Sequence, residues 1–193
     1  MICLAPASNA QVRIWLDERS RFASEKPVIV IYNMPFAYRV YDNRRLSVQQ
    51  LKQALEMVVQ KHESLRTALI FDGEENQLVQ RIIDGSHNNT PLFQFNDSTY
   101  DTDEQLNTIL QGERRNSQLF DLARGLVFRC HFVHHQTSLP NNCVCAEDII
   151  IFNFHHASFD FPSMEIFLHD LNEAYSTGQL ATDHDTHLRY LDC

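Results

Sequence analysis

Two adjacent histidines, His155 and His156, are the residues of this sequence best suited to chemistry. Asp160 follows the pair after three intervening residues, and the segment 148–154 that precedes it is mostly apolar. A histidine held near an acid can exchange a proton close to neutral pH, because its unperturbed pKa lies there. The pattern therefore indicates a candidate general base.

The element that must position this pair is the apolar segment 148–154, which predicts a buried strand ending at the histidines. Side chains alternate across a strand, so two neighbouring residues tend to face opposite sides. We therefore expect only one of the two imidazoles to point into a given cavity. The other is expected to lie in the packing behind it.

Helix start and stop signals place four helices around this strand. Ser47 opens the clearest of them, with Gln50 completing a capping box and Leu46 and Leu51 forming a hydrophobic staple. Pro162 is predicted to be the first residue of the last helix. The four predicted helices span residues from about Ser8 to Arg19, from Ser47 onward, from about Thr102 to Ser117, and from Pro162 to the stop at Gly178.

Alternating apolar residues predict the strands between these helices. Residues 27–41 read as one long strand, in which Pro35 indicates an edge position or a bulge. Residues 68–71 and 78–83 read as a hairpin, and 91–96 and 125–133 as further strands. Because strands and helices interleave, we expect one layered α/β domain.

The composition limits the function classes. The 193 residues carry 16 Lys and Arg against 25 Asp and Glu, a formal charge of −9, which argues against a nucleic-acid partner. No apolar run reaches the length of a membrane helix, and the first residues do not resemble a signal peptide. Five cysteines without paired spacing are read as reduced thiols, so we expect a cytoplasmic protein without a membrane partner.

A metal site is the alternative reading of the histidines. His131, His134 and His135 fall near one predicted strand end and, with the later pair, invite it. Structural zinc sites usually combine Cys and His at close, paired spacings, and this sequence has none. We therefore expect no metal site.

Four segments resemble the condensation domains of nonribosomal peptide synthetases. Residues 8–15, SNAQVRIW, are similar to the family's opening motif, and residues 61–71, KHESLRTALIF, to its His-Glu-x-Leu-Arg-Thr motif. The segment from His155 to Asp160 matches the family's HHxxxD motif. Residues 120–126, FDLARGL, are a weaker fourth match. Order and spacing agree, and together the segments cover nearly the whole chain.

The resemblance implies a chloramphenicol-acetyltransferase-like fold, in which two similar lobes enclose a substrate tunnel. This sequence corresponds to the N-terminal lobe, a mixed sheet flanked by helices, over residues 1–178. Residues 179–193 are expected to be a polar tail leading toward a second lobe. The chain is then either a fragment of a longer protein or a truncated relative, and a C-terminal lobe of the same fold is an expected partner.

The resemblance also implies a reaction. His156 would be the catalytic histidine when an acceptor amine attacks a donor thioester, acting either as base or by holding the amine in place. Both substrates would be presented on the phosphopantetheine of peptidyl or acyl carrier protein domains, with no tightly bound cofactor. His155 would be a structural histidine. Asp160 would form an ion pair with Arg66 that shapes the loop around His156, the alternative being a direct role as a second acid or base.

One position departs from the family pattern, and two further functions stay open. Phe161 stands where the family has glycine after the aspartate, so its ring either narrows the tunnel or packs under the last helix. An ester-forming HHxxxD acyltransferase, with a hydroxyl acceptor, would carry the same motif. A non-catalytic lobe that docks carrier proteins is the alternative from another class.

Overall fold

The fold was analysed in a computed structural model, which describes residues 4–22, 30–41, 45–85, 91–136 and 142–181. Nine strands and four helices interleave in these ranges. In chain order they are β1 (Leu4–Pro6), α1 (Asn9–Phe22), β2 (Asn33–Arg39), β3 (Leu46–Ser47), α2 (Val48–Lys61), β4 (Thr67–Asp72), β5 (Gln77–Ile82), β6 (Gln94–Tyr100), α3 (Asp103–Arg115), β7 (Phe128–His135), β8 (Cys143–Val144), β9 (Ile149–His155) and α4 (Ser163–Thr177).

A four-stranded sheet with the order β2-β9-β7-β6 forms the centre of the lobe. Strand β9 is antiparallel to both neighbours, whereas β6 and β7 are parallel, so the sheet is mixed. Every residue of β9 is buried because both faces of the sheet are covered. This agrees with the layered α/β domain expected from the sequence.

The two faces of the sheet have separate cores. Helices α2 and α4 pack on one face, and α3 contributes Leu106 to a smaller core on the other. Alternate residues of β9 serve the two faces, as the period of two requires. The first face takes Ile150, Phe152 and Phe154, and the second takes Ile149 and Ile151.

A second sheet, β1-β5-β4, packs beside the first and carries α1. Its hairpin joins β4 to β5 as the sequence predicts. A third, smaller core joins it to the turn after the central strand; its buried members are Ile14, Leu69, Leu78 and Ala157. Helix α1 is therefore fixed next to the dihistidine segment.

Several predicted boundaries need correction. Within the described part of the 27–41 segment, the strand begins at Asn33, because Asn33 pairs with His155, the last residue of β9. Pro35 does lie on an edge strand. The capping box at Ser47 is half formed: the Ser47 side chain accepts from the Gln50 backbone, but the Gln50 side chain donates to the Tyr175 carbonyl instead.

The last helix begins one residue later than predicted, with Pro162 as its N-cap, and ends as predicted at Gly178 in a left-handed conformation. Cys130, Cys143 and Cys145 are free thiols. None of the helices in the described ranges is long and apolar enough to cross a bilayer. Residues 182–193 of the predicted tail, with His184 and His187, lie outside the described residues.

Candidate active site

The two histidines at the end of β9 face opposite sides, as the alternation of a strand predicts. His155 is 1 % exposed, whereas His156 is exposed. The backbone N–H of His155 donates to the Val127 carbonyl at 2.8 Å, and that of His156 donates to the Tyr32 carbonyl at 2.9 Å. The end of β9 is therefore tied to the residues directly before β7 and β2, and of the two rings that of His156 is the exposed one.

One hydrogen bond determines which nitrogen of the His156 ring carries the proton. Its Nδ1 lies 2.9 Å from the Phe159 carbonyl oxygen. A carbonyl can only accept, so Nδ1 carries the proton and, in the neutral ring, Nε2 keeps its lone pair. The atom with the lone pair is the one that can accept a proton from a substrate.

Phe159 is itself anchored, so its carbonyl is a fixed support for His156. Its ring stacks on Phe154 with 3.7 Å between centroids and is 7 % exposed. The centre of the Tyr32 ring lies 6.4 Å from the centre of the His156 ring. The sequence analysis missed both contacts, although the position of Phe159 inside the HHxxxD segment was a local signal for the first.

The buried partner, His155, contacts α1. Its Nε2 lies 3.1 Å from Glu18 Oε1, and its Nδ1 accepts from the Ala157 backbone N–H at 3.2 Å. The ring lies 5.6 Å from Phe120 and 6.2 Å from Tyr32, measured between ring centres. A cleft of about 460 Å³, lined by Trp15, Arg19, Asn33 and others, opens beside it.

Asp160 lies on the surface and holds the start of α4. Its carboxylate accepts from the backbone N–H of Ser163 at 3.1 Å and from the Ser163 hydroxyl. The Ser163 hydroxyl bond, with the nearby His156 among smaller contributors, lowers the pKa of Asp160. Asp160 therefore satisfies the first backbone N–H of α4, although Pro162 is the N-cap residue. The sequence signal for this bond was an aspartate three residues before the first residue of the helix.

The expected ion pair between Arg66 and Asp160 is not formed among the described residues, and that expectation is corrected. Arg66 donates to the Ile83 carbonyl at 2.8 Å and to the Gln60 carbonyl at 3.2 Å, and it lies 3.7 Å from Glu63. These acceptors surround the guanidinium at the end of the turn after α2. Burial there lowers the pKa of Arg66. Asp160 contacts Ser163 at the start of α4, whereas the carbonyls that Arg66 contacts lie at the end of α2 and directly after β5.

Phe161 does not pack under the last helix. Its residue is 73 % exposed, and its ring centre lies 6.0 Å from that of Phe36. Among the described non-glycine residues, positive φ occurs at Asn76, Asn142 and Glu147, so Phe161 adopts a conformation open to any residue. The substitution for glycine therefore adds no left-handed backbone strain, and the exposed ring lies beside that of Phe36.

The remaining histidines near the sheet have individual partners. His131 Nδ1 lies 2.7 Å from Glu113 Oε1, and His134 Nδ1 lies 2.9 Å from Asp148 Oδ2. Because they alternate along β7, His131 and His134 lie on opposite faces of the sheet, and each ring is engaged in its own polar contact. In the ranges described here, they do not converge with His155 and His156 on one point.

Comparison with known proteins agrees with this geometry. The condensation-domain family profile matches residues 3–192. The chain is 28% identical over 191 residues to part of a linear gramicidin synthase from Brevibacillus parabrevis, covering 97% of this chain and 2% of that protein. It is 30% identical over 176 residues to the nonribosomal peptide synthetase acrB of Aspergillus aculeatus, covering 90% of this chain and 10% of that protein. The chain thus spans a small part of the curated relatives.

Solved structures show the same fold. The X-domain from teicoplanin biosynthesis superposes with a TM-score of 0.70 at 26% identity, covering 97% of this chain and 36% of that chain. The starter condensation domain of rhizomide synthetase superposes with a TM-score of 0.63 at 17% identity, covering 90% and 37%. These likenesses give the lobe a chloramphenicol-acetyltransferase-like fold. With its dihistidine turn, its sheet and the match over nearly its full length, the chain belongs to the condensation-domain family.

Proposed function

We propose that this chain takes part in acyl transfer during nonribosomal peptide-type synthesis, forming an amide from a carrier-bound thioester and an acceptor amine. The observation that carries the proposal is the exposed His156 ring, whose Nδ1 is engaged by the Phe159 carbonyl. Nε2 is then the nitrogen that faces a reactant. Family membership supports the reaction class.

The proposed reaction needs one bond formed, one bond broken and one proton transferred. The acceptor nitrogen forms a bond to the thioester carbon, the carbon–sulfur bond breaks, and the amine proton ends on the departing thiolate. His156 Nε2 can take that proton as the C–N bond forms, or hold the amine through a hydrogen bond. Either role needs the ring nitrogen fixed and accessible.

The partners follow from the same proposal. Both acyl groups would be carried on the phosphopantetheine of carrier protein domains, as the synthetase relatives suggest. A second lobe of the same fold would face His156 and complete the tunnel. The matched solved structures support this, because this chain covers 36% of the X-domain chain and 37% of the starter condensation domain.

The test is product analysis with the natural polypeptide that contains these residues. Donor and acceptor carrier domains are loaded, and the acceptor arm is examined by mass spectrometry for the transferred acyl group. Mild alkali cleaves the thioester that holds the product on the arm, and the acyl group is expected to stay bonded to the released acceptor, because an amide resists mild alkali and an ester does not. An alkali-labile product obtained with a hydroxyl acceptor would favour the ester-forming alternative.

A second candidate is a non-catalytic interaction lobe. One observation favours it: the chain is 27% identical, with a TM-score of 0.69, to the X-domain in a solved complex of the X-domain and OxyB. The exposed Phe161 ring is an apolar contact available to such a partner. Absence of any acyl transfer, together with binding of loaded carrier domains, would favour this candidate.

A further inference from the structure

Helix α1 contacts the dihistidine segment through Glu18. The Glu18 side chain is 18% exposed and lies 3.1 Å from His155 Nε2, which is 137 residues later in the chain. A carboxylate can only accept, so the contact requires a proton on Nε2 of His155. One acidic residue of α1 therefore determines how a buried histidine of β9 is protonated.

The other nitrogen of the same ring serves the turn that carries His156. The Ala157 backbone N–H donates to His155 Nδ1 at 3.2 Å, which requires Nδ1 to be the unprotonated nitrogen. The two contacts demand the same tautomer. Ala157 is 8 % exposed, and a buried N–H left without an acceptor is costly, so the correct tautomer holds the turn in place.

We propose that Glu18 is a positioning residue for His156, acting through the tautomer of His155. The proposal rests on the proposed function, because it assigns a role in placing the reactive ring. Glu18 fixes the proton on Nε2 of His155, and Nδ1 then receives the N–H of Ala157. That bond fixes the backbone directly after His156, and the Phe159 carbonyl fixes its ring.

Glu18 can control the His155 tautomer because the side of the His155 ring that faces α1 borders an open cleft. Glu18 and His155 both line the cleft of about 460 Å³ beside Trp15 and Asn33. Once Glu18 is removed, water in that cleft can either donate to or accept from His155 Nε2, so water does not fix the tautomer as a carboxylate does. Without the carboxylate, the proton is free to move to Nδ1, where it would oppose the Ala157 N–H.

The experiment is nitrogen-15 NMR of the histidine rings, combined with amide hydrogen exchange, on this chain. The wild type is expected to show a protonated Nε2 and an unprotonated Nδ1 at His155. Glu18→Ala is expected to speed exchange of the Ala157 amide roughly three- to tenfold, the loss of about one net hydrogen bond. Glu18→Gln keeps an accepting oxygen and is expected to restore slow exchange. Ser20→Ala, an exposed change on the same helix, is the control.

The results separate this proposal from the proposed function. A proton on Nδ1 of His155 in the wild type, or unchanged Ala157 exchange in Glu18→Ala, would overturn the positioning role whatever the protein catalyses. If acyl transfer is found, Glu18→Ala is expected to lower kcat roughly three- to tenfold with KM unchanged, and Glu18→Gln to recover it. If wild type transfers nothing but the NMR results hold, only the proposed function fails.

Discussion

At the scale of single residues, the candidate site depends on where ring nitrogens find their partners. His156 has its Nδ1 occupied by the Phe159 carbonyl, and His155 has both nitrogens occupied by Glu18 and Ala157. A strand end with alternating side chains accounts for the difference in exposure. The reactive ring is thus set by its neighbours in the turn.

Two phenylalanines near this turn test that view, because they differ in burial while lying two positions apart. Phe159→Ala removes a ring stacked on Phe154 and is expected to cost about 3–5 kcal/mol of unfolding free energy. Phe161→Ala removes a ring that is 73 % exposed and is expected to change the unfolding free energy by less than about 1 kcal/mol. Urea unfolding of both variants measures the contrast. Equal losses would mean that Phe161 is packed in solution.

At the scale of elements, two of the motif segments, 120–126 and 61–71, come into contact at a turn. Asp121 caps a short 3₁₀ turn, Leu122–Arg124, that ends at Gly125, whose φ is +72°. A Cβ on Gly125 would lie 2.7 Å from Ile83 Cγ1 and 3.2 Å from the Ala68 backbone nitrogen. The glycine therefore lets the Phe-Asp-Leu turn approach β4 and the segment that carries Arg66.

Two glycine substitutions give opposite expectations. Gly125→Ala should lower the unfolding free energy by about 2 kcal/mol or more, because it adds left-handed strain to a close contact. Gly112→Ala, within α3 and with nothing within 4 Å of the added Cβ, should raise it by about 0.5–1 kcal/mol. Thermal or urea unfolding of the pair measures both signs. A neutral Gly125→Ala would show that the turn does not need its close approach.

Local signals explain which elements were predictable from the sequence. The hairpin, the strand before His155 and the stop at Gly178 depend on neighbouring residues, and all three were predicted. The start of β2 was missed because it depends on where its partner strand ends. A periodic sequence pattern does not contain that information.

Distant polar partners were also beyond the sequence analysis. Arg66 finds the carbonyls of Gln60 and Ile83 rather than Asp160, which depends on how the turn after α2 packs. The Glu18 contact with His155 spans 137 positions and has no pattern in the chain. Such contacts follow from the assembled fold.

At the scale of the whole lobe, one buried carboxylate ties α3 to the central sheet. Glu113 of α3 accepts from Arg129 and His131 of β7 and from Asn153 of β9. Burial alone raises the pKa of Glu113, but the hydrogen bonds from His131, Arg129 and Asn153 outweigh it and lower the pKa from 4.5 to about 2. A helix that reads as polar is thereby fixed over the sheet.

The pH dependence of stability should report this carboxylate. A lowered folded pKa adds stability that is fully present above the unfolded value of 4.5 and is lost as pH falls toward 2. The shift corresponds to about 3 kcal/mol. Glu113→Gln should cost a comparable amount at neutral pH, and its deficit relative to wild type should shrink in acid.

Urea unfolding of both proteins across that range measures the effect. Glu56→Gln, an exposed change in α2, is the matched control and should follow the wild type throughout. Parallel stability profiles for wild type and Glu113→Gln would remove the carboxylate from the account. A deficit that converges as pH falls would support it.

The most direct test of the central claim is the rate of acyl transfer with and without the exposed imidazole. In the natural polypeptide, loaded with donor and acceptor carrier domains, His156→Ala is expected to slow single-turnover transfer roughly a hundredfold or more. His169→Ala, whose side chain is 77% exposed on α4, is the control and should transfer at the wild-type rate. Near-normal transfer by His156→Ala, with a normally folded protein, would contradict the account.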